Sequence, residues 1–395
     1  MTTKDLNKAL TSNLREYGMY IALVVIMAIF TIATNGLFMS PRNIANLLNQ
    51  TGYIAVLAVG MTLVIVIRHI DLSVGFLAGF LGALAAIGMT SLGISVFIVI
   101  PGILIIGILA GLLTALPVAK LGIPSFVASL AGWLIYRGAL LMATSGSGTI
   151  IISDDFFNAL GNGYIPDFFP DNTTFLPGVH KLTLLLGLLA IVMFIIGQIR
   201  SRKSKQAYNF EVIPADMFIL KLVFAALILG AITWIMAGYN GMSWTVVIML
   251  AVVFVYDWVS NNTVLGRHIY AVGGNPDAAE LSGINVKKIT MIVFGSMGLL
   301  VSVSGILFAS RLQSASPTAG TLFELDAIAA AYIGGVSAAG GVGKITGSLL
   351  GAIVYMCLRN GMDLMGVDAS LQYIIRGAVL VAAVIFDVAT RRVKR

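Results

Sequence analysis

Residues 95–119 read SVFIVIPGILIIGILAGLLTALPVA, a stretch that contains no charged side chain. An α-helix rises about 1.5 Å per residue, so about 20 such residues cross the hydrocarbon core of a bilayer, which is roughly 30 Å thick. Lipid offers the backbone no hydrogen-bonding partners, and a long unbroken apolar run therefore indicates a helix, which satisfies its own backbone groups. This stretch predicts a transmembrane helix.

Runs of the same kind recur along the whole chain. Hydrophobic residues make up 58% of the 395 positions and charged residues only 10%, whereas soluble domains hold about half and about a quarter. The pattern predicts about twelve spans, which lie near 17–34, 46–67, 71–90, 95–119, 124–143, 180–199, 218–236, 243–259, 289–311, 324–339, 343–359 and 370–388. The sequence therefore indicates an all-α, polytopic membrane helix bundle that forms a single transmembrane domain over residues 1–395.

Two of these spans, 71–90 and 324–339, are weaker than the rest. Each begins at an acidic residue and is rich in glycine and alanine. Either could instead be a short or re-entrant helix, which is tolerated at membrane depth where protein surrounds it. We therefore expect the bundle to hold about 10–12 transmembrane helices.

The basic residues indicate the orientation of the chain, because Lys and Arg are retained on the cytoplasmic side during insertion. With the amino terminus inside, only four of the 24 Lys and Arg residues lie outside (Arg42, Lys181, Arg311 and Arg359), and two lie within the membrane (Arg137 and Arg376). We expect both termini in the cytoplasm, with residues 1–16 as a cytoplasmic tail, 144–179 as a solvated extracytoplasmic loop and 260–288 as a cytoplasmic loop. The net charge of +7 thus reflects topology, and no nucleic-acid partner is expected.

A short motif appears twice. Residues 135–140 read IYRGAL and residues 374–379 read IIRGAV, in spans that cross in opposite directions. Inverted repeats are common in transporters, where two halves enclose a path near the midplane. The motif indicates that the two halves of the chain are structural copies with opposite orientations in the membrane. Chance similarity over six residues is the alternative.

The sequence offers little for catalysis or metal binding. The three histidines lie in different loops, and the single cysteine, Cys357, lies in an apolar run, so neither a metal cluster nor a disulfide within the chain is expected. The string GGVGK at 340–344 lacks the first glycine of a phosphate loop, where Ala338 stands, and the Ser or Thr after the lysine, where Ile345 stands. If the chain takes part in ATP-driven transport, another chain must hydrolyse the ATP.

Acidic residues at the edges of the weak spans are the first candidates for function. Asp71, Glu324 and Asp326 stand where a charge in lipid costs several kcal/mol unless it faces a cavity or a partner. A carboxylate at the start of a helix can also cap the unpaired amide groups there. Both interpretations remain open for all three residues.

The most specific stretch is GRHIYAVGGNPDAAELSGIN at 266–285. It predicts a short helix with Asn275 as N-cap and Pro276 at its first position, which Gly283 ends. A short helix along the membrane surface would suit a permease that receives mechanical force from another subunit. From these residues alone, an ordinary surface loop is an equal alternative.

This loop closely resembles the conserved loop of permease subunits from bacterial ABC importers of the ribose, xylose and branched-chain amino acid class. The resemblance rests on LSGIN at 281–285 after GGN at 273–275, and it extends to other stretches in the same order along nearly the whole chain: IDLSVG at 70–75, PSF at 124–126, RG at 137–138, ELDAIAA at 324–330, GG at 334–335 and GGVG at 340–343. Extra length around 180–240 resembles the xylose and multiple-sugar permeases, and the role of this part stays open.

The resemblance implies a permease subunit in the bacterial cytoplasmic (inner) membrane, embedded in lipid, that imports a monosaccharide such as a xylose-like pentose. It also implies a homodimer of permeases, cytoplasmic ABC ATPase subunits that use ATP and Mg, and an extracytoplasmic sugar-binding protein. The chain itself would bind no cofactor and catalyse no reaction. The resemblance places the ATPase-coupling loop at Gly266, Arg267, Gly273, Gly274, Asn275, Ala278, Ala279, Leu281, Ser282, Gly283 and Ile284, and we take Asp71, Ser73, Glu324 and Asp326 as candidates for the translocation path.

Two other functions are alternatives to a sugar importer. An ion-coupled secondary transporter should bury titratable groups near its midplane, and the sequence places almost none there besides Arg137 and Arg376. A branched-chain amino acid permease of the same superfamily is the nearer alternative.

Overall fold

The computed structural model describes residues 14–146, 148–167, 176–210, 212 and 214–392. Most of the predicted tail 1–16 lies outside these ranges. Within them the chain forms 15 α-helices and two short strands. The helices are α1 (Leu14–Ala33), α2 (Pro41–Val66), α3 (Val74–Thr90), α4 (Val96–Leu121), α5 (Ser125–Thr144), α6 (Asp155–Asn162), α7 (Lys181–Ala207), α8 (Ala215–Ala237), α9 (Trp244–Asn262), α10 (Val264–Gly274), α11 (Pro276–Leu281), α12 (Val286–Leu312), α13 (Phe323–Ile333), α14 (Ile345–Leu364) and α15 (Ala369–Arg392), and the strands are β1 (Ile150–Ile151) and β2 (Ser314–Ala315).

The helices confirm the predicted class of a polytopic helical membrane protein. Among the described residues, seven helices are long and apolar enough to cross a membrane: α2, α4, α5, α7, α8, α9 and α12. Shorter apolar helices cover Met19–Ala33, Val74–Thr90 and Ala369–Ile385. Each predicted span therefore coincides with a helix. The largest differences lie at α7, which ends at Ala207 and not near 199, and at α13, which is shorter than predicted.

Helix α13 has only 11 residues and ends at Ile333, whereas the apolar pattern predicted a span to 339. Gly334 and Gly335 follow it, and Gly335 adopts a φ of 87°, in the left-handed region that favours glycine. A Cβ atom at Gly334 would lie 2.5 Å from the carbonyl oxygen of Gly347, so the backbones of α13 and α14 cross in close contact. The alternative of a short helix is correct for this segment.

Two long helices, α2 and α12, form the centre of the bundle and pack against each other. They run antiparallel, because Ser304 donates to the Tyr53 carbonyl (2.9 Å) while Met297, earlier in α12, faces Gly60, later in α2. Helix α2 packs against α13 and α14 of the second half, and α12 packs against α3 and α4 of the first. This reciprocal exchange supports the interpretation as inverted halves.

The two copies of the repeated motif also occupy matching places. Arg137 on α5 lies over the ring of Phe76, 4.7 Å from its centroid, in the first turn of α3. Arg376 on α15 forms an ion pair with Asp326 in the first turn of α13. Each arginine therefore contacts the first turn of another helix, and Arg137 also donates to the Pro317 carbonyl (2.6 Å), in the segment before α13.

The predicted extracytoplasmic loop 144–179 is partly packed rather than solvated. Strand β1 pairs antiparallel with β2, which follows α12. Helix α6 buries Phe157, whose carbonyl accepts a hydrogen bond from Ser310 on α12 (2.6 Å), and the same hydroxyl accepts from the Gly161 amide (2.6 Å). The apolar face of α6 therefore covers one end of the bundle, which we call the α6 end. Asp171 and its neighbours from 168 to 175 lie outside the described residues.

Helices α7 and α8 contain the extra length around 180–240. They pack mainly against each other, and Gly187 on α7 meets Thr233 on α8. Apolar side chains such as Leu188 and Leu227 are exposed on their outer faces. In a membrane protein such faces are solvated by lipid, so this pair forms a peripheral hairpin of the bundle.

Candidate functional site

The short helix that the sequence predicts after Asn275 is present as α11, and a second helix that was not predicted, α10, precedes it. Asn275 accepts a hydrogen bond from the Ala278 amide on its side-chain oxygen (3.1 Å), and Pro276 occupies the first position of α11. Gly283 adopts a φ of 84° two residues after the last residue of α11. The two helices α10 and α11 therefore form a compact corner between α9 and α12, at what we call the α11 end of the bundle.

The predicted ATPase-coupling residues divide into two groups by exposure. Exposed are Arg267, Gly274, Asn275, Ala278, Leu281, Ser282 and Gly283, whereas Gly266, Gly273 and Ala279 are buried and Ile284 is half-buried. Leu281 stands out, since 91% of it is accessible at the end of a six-residue helix. Among the described residues, it is the most exposed of the large apolar side chains.

The buried glycines of this stretch are required by close packing. A Cβ atom at Gly273 would lie 1.9 Å from the carbonyl oxygen of Val66, the last residue of α2. One at Gly266 would lie 2.2 Å from the Ser260 carbonyl oxygen. No other residue fits these places without moving α10 away from its neighbours. Glycine here positions the helices, which is a role distinct from contact with a partner.

A residue outside the predicted set also contacts this corner. Arg68, just after α2, donates from Nε to the Gly273 carbonyl (2.7 Å) and from Nη2 to the Gly274 carbonyl. The sequence had suggested only a basic residue that marks topology. Its position three residues before Asp71 was the available signal, but the contact across more than 200 residues is a product of the tertiary fold.

Among the translocation-path candidates, Asp71 and Ser73 form one local unit. Asp71 accepts hydrogen bonds on Oδ1 from the Ser73 amide (2.9 Å) and the Ser73 hydroxyl (2.6 Å), and both residues are buried. This turn directly precedes α3. Asp71 therefore accepts from the amide of the N-cap residue of α3, which is the kind of contact that a capping role requires.

Glu324 connects the two halves of the bundle. It stands in the first turn of α13, and its Oε1 accepts a hydrogen bond from Trp133 Nε1 on α5 (3.1 Å). Its Oε2 lies against Gly75 of α3, where a Cβ atom would be 2.1 Å away, and this buried oxygen has no hydrogen-bond partner among the described residues. Since Trp133 follows Gly132, which packs against Ser73, the structure brings Asp71, Ser73 and Glu324 to one region.

Asp326 belongs to a separate cluster. Its side chain is fully buried and accepts from Tyr355 Oη on α14 (2.6 Å), with Arg359 Nη1 at 3.4 Å and an ion pair to Arg376 on α15. Both arginines and the tyrosine surround one carboxylate, as a buried charge requires. Asp326 does not act as a helix cap, and its contacts join α13, α14 and α15.

The arrangement consists of buried polar contacts between helices. In the described part of the chain, no group of three or more His, Cys, Asp or Glu side chains could hold a metal ion. Glu324 joins the two halves through Trp133, whereas the Asp71 turn lies in the first half and the Asp326 cluster in the second. The exposed Leu281 lies at the α11 end. A polytopic helical bundle whose two halves pack against each other is the architecture expected of a membrane transport protein.

Comparison with known proteins gives the family. The sequence model of a family described as branched-chain amino acid transport system / permease component matches residues 43–384. The chain belongs to this family of permeases. The sugar-permease resemblance seen in the sequence is confirmed by the named relatives that follow.

The chain is 40% identical over 381 residues to the xylose transport system permease protein XylH of Haemophilus influenzae. The aligned region covers 96% of this chain and 98% of that XylH. The chain is also 40% identical to XylH of Escherichia coli K12, over 96% of this chain and 93% of that one. The ribose import permease protein RbsC of Escherichia coli K12 is 36% identical to this chain, and the aligned region covers 95% of this chain and 94% of RbsC. No solved structure matches the chain.

Proposed function

We propose that this chain is the membrane-spanning permease subunit of an ATP-driven importer that carries a monosaccharide, with a xylose-like pentose as its substrate. The observation that carries the proposal is the 40% identity to two xylose permeases over at least 93% of either chain in each pair. The ribose permeases are less similar, at 35–36%. The aligned lengths include the α7–α8 hairpin, so the likeness is not restricted to a common core.

The geometry supports a division of work between subunits. The chain supplies a helical passage, and separate ATPase subunits supply the free energy of ATP hydrolysis. We place the α11 end in the cytoplasm, where Leu281 would contact an ATPase subunit, and both termini on the same side, in the bacterial inner membrane. A homodimer of permeases and an extracytoplasmic sugar-binding protein at the α6 end complete the proposed assembly.

The passage needs only weak polar contacts with its cargo, because a tight site would retain the sugar. Asp71, Ser73 and Glu324 are our candidates for such contacts, since they lie together where α3, α5 and α13 meet. Asp326 is neutralised by two arginines, and we assign it a role in holding α13. Among the described residues, no ion pair joins Asp71 or Glu324 to a basic side chain, whereas Asp326 forms two. We therefore propose an uncharged cargo.

A branched-chain amino acid is the second candidate cargo, because the family description names it. The experiment uses the tagged chain, purified from its native membranes together with its copurifying ATPase and binding protein, and reconstituted into proteoliposomes. We expect uptake of radiolabelled xylose that requires hydrolysable ATP and is reduced more by unlabelled xylose than by ribose or leucine. Competition by leucine but not by xylose would reverse the assignment of the substrate. Absence of an ATPase from the purified assembly would contradict the whole proposal.

A further inference from the structure

Helix α10 ends in an unusual arrangement with α2. The last carbonyl groups of a helix have no partners within it and carry the negative end of the helix dipole. Here the carbonyls of Gly273 and Gly274, the last two residues of α10, both accept hydrogen bonds from Arg68. One planar guanidinium group therefore caps the end of α10 from the loop that follows α2.

The backbone around this contact is closely packed on its inner side, at Val66 and Gly273, whereas Arg68 and Gly274 are exposed. Arg68 adopts a φ of 66°, which is uncommon for a residue with a side chain. The Val66 carbonyl accepts from the Gly341 amide (2.8 Å), and Gly273 packs directly against the same carbonyl. We call Val66, Arg68, Gly273, Gly274 and Gly341 the α10 junction. It joins three chain segments through hydrogen bonds and close backbone packing.

The junction connects the exposed helix to the buried candidates. On one side, α10 leads directly into α11 and the exposed Leu281. On the other, Arg68 precedes Asp71 and Ser73, whose turn starts α3. The Ile70 amide also donates to Ser125 Oγ at the start of α5 (3.2 Å). Few covalent and hydrogen bonds therefore separate α11 from the segment 67–73.

We propose that Arg68 is the positioning residue that passes movement of α11 to the segment 67–73, and so to the start of α3 at Asp71 and Ser73. This inference rests on the proposed function as a driven permease. Arg68 touches neither the cargo nor the ATP in this scheme. It acts by holding the end of α10 to the loop after α2, so that both move together.

The test compares Arg68→Gln with the matched control Lys120→Gln, which removes the same charge at an exposed position on the last turn of α4. In the reconstituted assembly we expect Arg68→Gln to lower ATP-driven uptake by at least about tenfold, because hydrogen bonds from a charged group are among the stronger ones in proteins. Copurification of the ATPase and its hydrolysis of ATP should continue. Arg68→Lys, which keeps the charge without the planar fork, should give an intermediate rate.

A second readout does not depend on transport. By hydrogen–deuterium exchange of the full assembly, Arg68→Gln should raise amide exchange in both 67–73 and 264–274, whereas Lys120→Gln should change neither. Wild-type uptake by Arg68→Gln would overturn the inference, and so would a loss of uptake caused by loss of the ATPase subunit. If the wild-type assembly itself shows no ATP-driven uptake, the proposed function fails, and the exchange measurement still decides whether Arg68 links the two segments.

Should Arg68→Gln fail to insert, Gly273→Ala provides the same test with Arg68 intact. Its added Cβ would lie 1.9 Å from the Val66 carbonyl oxygen, so the end of α10 must move away from α2. The control is Gly102→Ala on α4, where an added Cβ meets nothing within 4 Å. We expect reduced uptake and raised exchange in 67–73 for Gly273→Ala only, and equal behaviour of the two variants would overturn the inference.

Discussion

The cluster around Asp326 allows a quantitative prediction. Asp326 is fully buried on α13, where it accepts from Tyr355 and pairs with Arg376 and Arg359. The substitution Asp326→Asn keeps the size of the side chain and removes its charge. Arg376, whose side chain is only 13% exposed, then loses its counter-charge inside the bundle. Arg359 is affected less, because 30% of its side chain is exposed.

The size of the effect follows from this burial. Removing one partner of a buried ion pair costs about 3–5 kcal/mol of folding free energy, because the other charge stays buried without compensation. An unfolding entropy of about 2.1 cal/mol/K per residue converts this loss into a fall in Tm of about 4–6 °C for a chain of this length. Removing the more exposed partner with Arg359→Gln should cost about 1 kcal/mol or less, and so shift Tm by about 1 °C.

The chain has a convenient internal probe for this measurement. Cys357, its single cysteine, is buried on α14, two residues from both Tyr355 and Arg359. A fluorogenic maleimide reacts with this thiol only after α14 separates from its neighbours, so heating the purified protein with the dye reports unfolding around the cluster. Wild type, Asp326→Asn and Arg359→Gln are compared in the same detergent and lipid.

The charges of Asp326 and Arg376 should also be coupled in their effect on stability. The double variant Asp326→Asn with Arg376→Gln should recover part of the loss, since neither charge is then left alone in the bundle. An unchanged Tm for Asp326→Asn would refute the account of Asp326 as a buried ion-pair partner. Equal falls for Asp326→Asn and Arg359→Gln would refute the argument from burial.

Three further predictions concern the candidate site. Leu281→Asp should abolish copurification of the ATPase while leaving the Tm of the isolated chain unchanged, because the side chain is 91% exposed; a retained ATPase would contradict a contact role. Gly75→Ala should lower both Tm and uptake, since its Cβ would lie 2.1 Å from Glu324 Oε2, and wild-type behaviour in both assays would contradict this close contact. Asp71→Ala should lower uptake more than Tm if the carboxyl contributes to the path, whereas equal losses would favour a capping role towards Ser73.

Much of the fold follows from the sequence, because the membrane makes the relation between apolar length and helix simple. The predicted spans 95–119 and 289–311 correspond to α4 and α12, with ends that differ by three residues or fewer. The short helix α11 was also predicted, since Asn275 and Pro276 act through local geometry that requires no distant partner.

What the sequence could not provide depends on contacts between distant segments. The pairing of β1 with β2 joins residues more than 160 positions apart, and no local pattern indicates it. Helix α6 did carry a signal, since Asp154 caps it by accepting from the Phe157 amide (2.8 Å). The early end of α13 is set by its crossing with α14 at Gly334, whereas apolar composition alone continues beyond it.

The candidate site shows the same limit. The acidic residues at the weak spans were found from the cost of charge in lipid, and the structure separates them into the Asp71 turn, the Glu324 contact and the Asp326 ion pairs. Sequence reasoning could not assign their partners, because Trp133 and Arg376 lie on other helices. Arg68 was missed for the same reason.

We expect this permease to take the free energy for transport from a partner subunit. The most direct measurement compares two proteoliposome samples: the chain alone under an imposed proton gradient, and the chain with its ATPase and binding protein supplied with ATP. We expect xylose to accumulate only in the second sample and to stop accumulating with a non-hydrolysable ATP analogue. Uphill uptake by the chain alone on the proton gradient would contradict the account.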